Sequence, residues 1–187
     1  MKAENLESVY IDKHYDLVVE CKQGSKKACY DLYRLYSKAM LNVAFRIVGD
    51  IGDAEDILQE SFVDAFSKLK DFRQETTFGL WLKQIVINRS VNLLRKRRVE
   101  WISLDDEHIE NLSDVEVDDG EDVQYKVLLI KEAMKELPDG YRTVLSLYLV
   151  EGFDQEEIAS IMGITHSTIR TQYMRAKQRL ISHLKAT

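Results

Sequence analysis

The side chains here best suited to chemistry are cations set beside small polar groups, and the chemistry they suit is recognition of a nucleic acid. They concentrate in residues 154–184, DQEEIASIMGITHSTIRTQYMRAKQRLISHL. His166, Arg170, Thr171, Met174, Arg175, Lys177 and Gln178 share the side of a helix opposite Ile169, Tyr173, Ala176 and Leu180, which recur at spacings of four, three and four. Guanidinium groups on such a face can grip guanine edges bidentately, and ammonium groups and hydroxyls suit phosphates. Arg170 and Arg175 are long enough to reach base edges and flank Thr171 and Met174 on this side, and Lys177, further along, suits the backbone.

The elements that must position these residues are legible just before them. Asp154 can cap a short helix carrying Ile158, Ala159 and Met162 on one face. Gly163 breaks it, because a sharp turn between helices needs a residue that tolerates positive φ. Ile164 then serves as a buried plug, and Thr165 or Ser167 can cap the second, longer helix. Helix, glycine turn and helix with a basic polar face form the helix-turn-helix pattern. An ordinary helical hairpin with a solvated face is the plainer alternative.

A second cationic run lies upstream. Lys83–Arg98 holds six basic residues and no acid, with Asn88 and Asn92 among them. Basic residues near a helix end suit its dipole. The four consecutive cations Arg95, Lys96, Arg97 and Arg98 exceed that need, and a phosphate backbone is their natural counter-charge. The opposite sign appears on the helix expected over about Ala54–Leu69, where Glu55, Asp56, Gln59, Glu60 and Asp64 oppose an apolar face of Ile57, Leu58, Phe62 and Ala65. That acidic face suits solvent or a basic partner helix.

The net charge of −6 over 187 residues hides this distribution. Val99–Asp122 contains eleven acidic residues and no Lys or Arg, so removing it leaves the other 163 residues at +5. Its composition and lack of period mark an extended or disordered linker. Before it, helices are expected near Tyr15–Cys21, over about Lys26–Val48 (stripe Ala28, Leu32, Leu35, Tyr36, Ala39, Met40, Val43, Ile47), over Ala54–Leu69 capped by Asp53, and over about Phe78–Arg98 capped by Thr76 or Thr77. After it come a helix ending near Leu137, a turn at Pro138-Asp139-Gly140, a helix from Tyr141 stopped by Gly152, and the hairpin. The fold class is therefore all-α: two small helical domains, residues 1–98 and 123–187, joined by the acidic linker 99–122.

Other function classes find little support. No apolar run of about 18 residues is present to span a membrane. The start, MKAENLESVYIDKHYD, with four acids and no apolar core, does not suit a signal peptide. Cys21 and Cys29 lack metal-ligand spacing and read as incidental thiols in a reducing cytosol. No metal, cofactor or catalytic constellation stands out, so an enzyme is not expected. A free-standing repressor could use the same hairpin, but the first half shows no ligand-pocket or receiver pattern.

The run LYRLYSKAMLNVAFRIVGDIGDAEDILQESFVDAFSKLKDF, followed by FGLWLKQIVINRSVNLLRKRR, resembles region 2 of sigma factors. The signs are Asp53–Asp56, the Gln59-Glu60 pair with Phe62 after it, and Trp81-Leu82 leading to Asn88 and the basic end. ELPDGYRTVLSLYLVEGFDQEEIASIMGITHSTIRTQYMRAKQRL resembles their region 4. Both regions in order across one short linker resemble the extracytoplasmic-function (ECF) group of the sigma-70 family. Ser167 stands where relatives often have Gly, and Tyr173 where Leu or Ile is common, which leaves the promoter sequence open. The resemblance implies a cytoplasmic promoter-specificity factor, monomeric when free, whose partners are core RNA polymerase, promoter DNA and potentially an anti-sigma factor. It implies that Asp56, Gln59 and Glu60 dock on the polymerase. It also implies that residues 73–77 and the following helix handle the −10 element as single strand, and that the hairpin's second helix reads the −35 element with Arg170, Thr171, Met174 and Arg175 at the family's reading positions and Thr168 on a phosphate. By the same resemblance the acidic linker passes near the RNA exit path.

Overall fold

The computed structural model describes residues 12–97 and 123–186. Among these residues there are eight α-helices and no strand: α1 Tyr15–Lys22, α2 Lys26–Val48, α3 Ile51–Ser67, α4 Phe78–Lys96, α5 Val123–Lys135, α6 Asp139–Leu145, α7 Gln155–Met162 and α8 His166–Ala186. The all-α expectation is met. The linker 99–122 falls outside the described residues.

The described residues fall into two compact units. One takes the chain up to Ala44 and Gly52–Arg89; the other takes Phe45–Ile51 and the chain from Ser90. In the first, α2 and α3 turn their apolar residues inward: Leu32, Met40, Val43, Ala54, Ile57, Leu58, Phe62 and Ala65 are buried, with Phe78, Leu82 and Val86 of α4. Truncating one such side chain to Ala costs about 2–5 kcal/mol, since the lost transfer energy and the remaining cavity add.

Local differences from the sequence expectation have physical reasons. In α2, Leu35 and Ala39 are exposed, and Ala44 joins the core instead. The buried stripe is therefore narrower than the apolar residue count suggested. Helix α3 begins at Ile51 rather than Ala54, so Asp53 lies in its first turn, where a carboxylate favours the positive end of the dipole. Pro138 occupies the N-cap position of α6, with Asp139 and Gly140 already helical. Proline's fixed φ suits a helix start, and the Pro138 carbonyl accepts the first helical bond, from the Arg142 amide at 2.9 Å. Beyond α6 the chain continues as a π-helical turn, Ser146–Val150.

Cys21 and Cys29 are joined as a disulfide between α1 and α2. This corrects the reading of incidental thiols. Eight residues separate them in sequence, but the reversal at Gly24 and Ser25 brings the last turn of α1 beside the first turn of α2.

In the second unit Met134, Leu137, Leu145, Ala176 and Leu180 form a core, with Ala133, Tyr141, Tyr173 and Leu184 packed on it. Helix α8 lies against α5, α6 and α7. Its buried side is wider than four residues: Gln172 is as buried as Leu180, and its Oε1 has no partner among the described residues. Tyr173 is only half-buried, against Tyr148 at 4.6 Å between ring centroids. Burial, with Tyr148 beside it, pushes its phenol pKa up.

Candidate nucleic-acid interface

The hairpin forms as its caps dictate. Asp154 accepts from the Glu156 and Glu157 amides, each at 2.8 Å, and Glu157 returns the bond to the Asp154 amide at 2.8 Å. This reciprocal pair satisfies the donors that a helix start leaves open. At the other end of α7, Gly163 is left-handed (φ 65°) and the Ile164 amide reaches back to the Ala159 carbonyl at 3.1 Å. That closes the helix in the glycine-terminated manner, where a Cβ would be strained. Ile164 is half-buried rather than a fully buried plug.

Thr165, not Ser167, caps α8: its hydroxyl accepts from the Thr168 amide at 3.2 Å. The same hydroxyl lies 2.9 Å from that of Ser167 and 2.7 Å from that of Thr168. Along α8, Ile169, Gln172, Ala176 and Leu180 are buried, while Arg170, Thr171, Met174 and Lys177 are exposed. Arg175 and Thr168 are half-buried at the edges of that face. Among the described residues, neither Arg170 nor Arg175 has a hydrogen-bond or ion-pair partner, so their donors are available to a ligand. Thr171 differs: its hydroxyl donates to the Ser167 carbonyl at 3.1 Å. It offers a ligand its methyl group and an acceptor, not a free donor.

The basic end of α4 is less uniform than its sequence. Asn88, Arg95, Lys96 and Arg97 are exposed. Arg95, however, donates to the Asn92 side chain at 3.4 Å and to the Ile161 carbonyl at 2.9 Å, within the second unit. It supplies a donor where α7 ends. A Cβ on Gly163 would meet the Arg95 guanidinium at 2.6 Å, so the glycine also makes room for it. Asn88 accepts from Gln84 at 3.2 Å. Arg98 lies outside the described residues.

On α3, Asp56, Gln59 and Glu60 are exposed on one face, as their spacing requires. Arg89 of α4 reaches across to this helix and pairs with both Glu60 and Asp64. Its Nε donates to Asp64 at 3.0 Å. That hydrogen bond, with the charges of Arg89 and Lys68, holds the Asp64 carboxyl below the usual range despite some desolvation. Sequence reasoning had left Arg89 on the solvated basic side of α4. Only the packing of α3 on α4 brings it to the acids.

Ahead of α4, Phe72 stacks on Trp81 with centroids 4.9 Å apart, and Phe78 lies 5.9 Å from Trp81 and 5.3 Å from Tyr36. Phe72 and Phe78 are buried and Trp81 is half-buried, so only Trp81 of the three presents a substantial free surface. Thr77 caps α4, accepting from the Leu80 amide at 3.3 Å. A Cβ on Gly79 would strike the Tyr36 ring at 2.7 Å; glycine lets that ring seat against the helix start. Between Phe72 and Thr77, Gln74 is left-handed (φ 61°). Sequence reasoning missed the two residues that tie this loop down, Asp12 and Lys22. Asp12 accepts from the Phe78 amide at 2.7 Å, and Lys22 donates to the Phe72 carbonyl at 2.7 Å. Nothing in local sequence pairs residues 66 or 50 positions apart.

A recognition helix with unpartnered guanidinium groups, held by a capped helix and a glycine turn, defines a helix-turn-helix DNA-binding class. Residues 32–100 match the family described as sigma-70 region 2, and residues 128–180 match sigma-70, region 4. The chain is 35% identical over 160 residues to the RNA polymerase sigma factor SigV of Bacillus subtilis (strain 168), covering 86% of each. It is 29% identical over 179 residues to the ECF RNA polymerase sigma factor SigW of the same organism, covering 90% of this chain and 95% of the relative. Among solved structures, the sigma factor RpoE of Bartonella quintana, in complex with the anti-sigma factor NepR, superposes with a TM-score of 0.52 at 25% identity, covering 83% of this chain and 96% of that one. CnrH, in complex with the cytosolic domain of CnrY, shares the fold with a TM-score of 0.53 at 23% identity, covering 91% of this chain and 96% of that one. The chain belongs to the ECF group of the sigma-70 family. As such it binds core RNA polymerase and directs it to specific promoters for transcription initiation.

Proposed function

We propose that the two charged faces divide this work. Residues 1–98 form the domain that docks on the polymerase and handles the −10 element, residues 99–122 the acidic linker, and residues 123–187 the domain that reads the −35 element. Asp56, Gln59 and Glu60 meet a basic helix of the polymerase. Arg170, Thr171, Met174 and Arg175 enter the major groove, and Thr168 and Lys177 contact phosphates. Asn88, Lys96, Arg97 and Arg98 follow the backbone near the melted strand. Arg95 adds to that field while bonded to the end of α7. Residues 73–77 and Trp81 hold the −10 strand as the duplex opens.

The observation that carries this reading is the exposed α8 face, where Arg170 and Arg175 flank Thr171 and Met174 with their donors unspent. The protein acts without catalysing a reaction of its own, and it works in the cytoplasm where polymerase and chromosome meet. Among the described residues no helix is long and apolar enough to cross a membrane. An anti-sigma factor fits as a regulatory partner, since RpoE and CnrH are each solved with a protein bound.

The test is reconstitution. Core polymerase is mixed with the purified chain and offered fragmented genomic DNA. Transcripts sharing a −35/−10 pair, and weak duplex binding by the chain alone, support the reading. Tight dimeric binding to paired half-sites without polymerase would replace it with a free-standing repressor.

A further inference from the structure

The loop between the two aromatic residues Phe72 and Phe78 is fastened at both ends from one place, the first helix and the residues just before it. At the downstream end, Asp12 accepts from the Phe78 amide at 2.7 Å, and its second oxygen accepts from the His14 amide at 2.9 Å. At the upstream end, Lys22, the last residue of α1, donates to the Phe72 carbonyl at 2.7 Å and stands 5.4 Å from the centre of the Phe72 ring. Hydrogen bonds with one ionised partner are roughly twice as strong as neutral ones. The stretch they bracket contains Gln74 in a left-handed conformation, which is unfavourable for a non-glycine residue and persists only where its surroundings hold it. Cys21, the neighbour of Lys22, is bonded to Cys29 of α2, so the end of α1 that delivers the ammonium is covalently fixed.

We propose that α1 is a brace for the promoter-melting loop: Asp12 and Lys22 are positioning residues for capture of the −10 strand, and the Cys21–Cys29 bond makes that brace thiol-sensitive. The proposal rests on the reading that residues 73–77 meet the −10 strand. A disulfide in a cytoplasmic protein is usually transient and redox-sensing. Cys29 is half-buried and Cys21 buried, so Cys29 sulfur is the more accessible to attack. A thiolate of a dithiol reductant attacks it, and the sulfur–sulfur bond breaks. Cys21 leaves as thiolate and takes up a proton. The reductant's second thiolate then displaces Cys29, which is protonated in turn, and the reductant departs as a cyclic disulfide carrying the two-electron oxidation. With the bond gone, the last turn of α1 keeps its packing and the backbone hydrogen bonds of the reversal, Gly24 to Cys21 and Ser25 to Glu20, but Lys22 loses its covalent anchor to α2.

The test uses the full chain and its holoenzyme. Amide hydrogen exchange over residues 73–78 reports the loop directly, and permanganate reactivity of −10 thymines reports opening. Lys22→Met and Asp12→Asn should each speed loop exchange and lower open-complex yield by about tenfold, the scale of one charged hydrogen bond. Affinity for core and protection of the −35 element should stay level, and Lys22→Arg should recover both readouts. Dithiothreitol should move the wild type in the same direction, and the double Cys21→Ser, Cys29→Ser variant should not respond to it. Unchanged loop exchange in Lys22→Met, or core affinity falling in step with opening, overturns the brace. Equal exchange with and without dithiothreitol overturns its thiol sensitivity. Faster exchange with normal melting overturns the positioning role and places the fault in the loop's assignment to the −10 strand.

Discussion

The outward faces of α3 and α8 carry opposite charge, and they differ in how that charge is held. On α8, Arg170 and Arg175 have no partner among the described residues. On α3, Glu60 already shares Arg89 with Asp64, while Asp56 has no counter-ion among the described residues. Recognition of base edges needs donors whose desolvation is repaid only by the right base, so keeping them unpaired favours discrimination. Docking on a protein needs a face that keeps its shape before the partner arrives, and a cross-helix ion pair helps to set that shape. The difference suits a reader on one side and a preset docking surface on the other.

The largest effect expected from this contrast is on docking. Asp56→Lys with Glu60→Lys should reduce affinity for core polymerase at least about a hundredfold, because like charges then meet across the interface. The helical circular dichroism should be kept. An unchanged titration with core would remove α3 from the interface. Next in size is the reading face. Residues 170 and 175 are five positions apart, a net rotation of about 140°, so they border the exposed side without both sitting at its centre. Arg170→Ala or Arg175→Ala should each cost about 1–3 kcal/mol on the preferred −35 sequence and relax one or two base positions. Lys177→Ala should weaken all sequences evenly. Selection from a randomised promoter pool with each holoenzyme would show it, and an unchanged preference for both arginine variants would make them backbone contacts.

The smallest effect concerns Asp64. Its folded pKa lies below the unfolded value, so its contribution to stability is present above the unfolded pKa and is lost as pH falls through the folded one. Partial exposure keeps the pair's worth to about 0–1 kcal/mol. Asp64→Asn should therefore flatten the acid side of the stability curve slightly in urea titrations, leaving neutral −35 selectivity untouched. A variant that loses selectivity would break the separation between the two faces.

The hairpin was the most legible part of the sequence because its signals are local. The Asp154–Glu157 box, the left-handed Gly163 and the period of α8 all act within a few residues. Gln172 was not legible: a polar residue at a buried position is set by the width of the groove between neighbouring helices, not by period. The acidic face of α3 was legible from its spacing, but its counter-ion was not, because Arg89 reaches Glu60, 29 positions away in sequence, only through the packing of α4 on α3. The basic run read as one uniform phosphate site, whereas Arg95 is tied to the Ile161 carbonyl. The two cysteines lacked a metal pattern, which is correct as chemistry, but their proximity depends on the reversal at Gly24 and Ser25.

The turn at Gly163 has a consequence for promoter architecture. Three residues, Gly163 to Thr165, join α7 to α8, and their backbone is committed to closing one helix and starting the next. A joint so short and so fully bonded cannot act as a hinge. On the proposed assignment to the −35 element, helices α7 and α8 land on DNA as a single stiff lever, whose pitch is set before the promoter is met. Variation in the distance between the two promoter elements must then be taken up by the DNA or by chain outside Asp154–Leu184, not by a change of angle between α7 and α8.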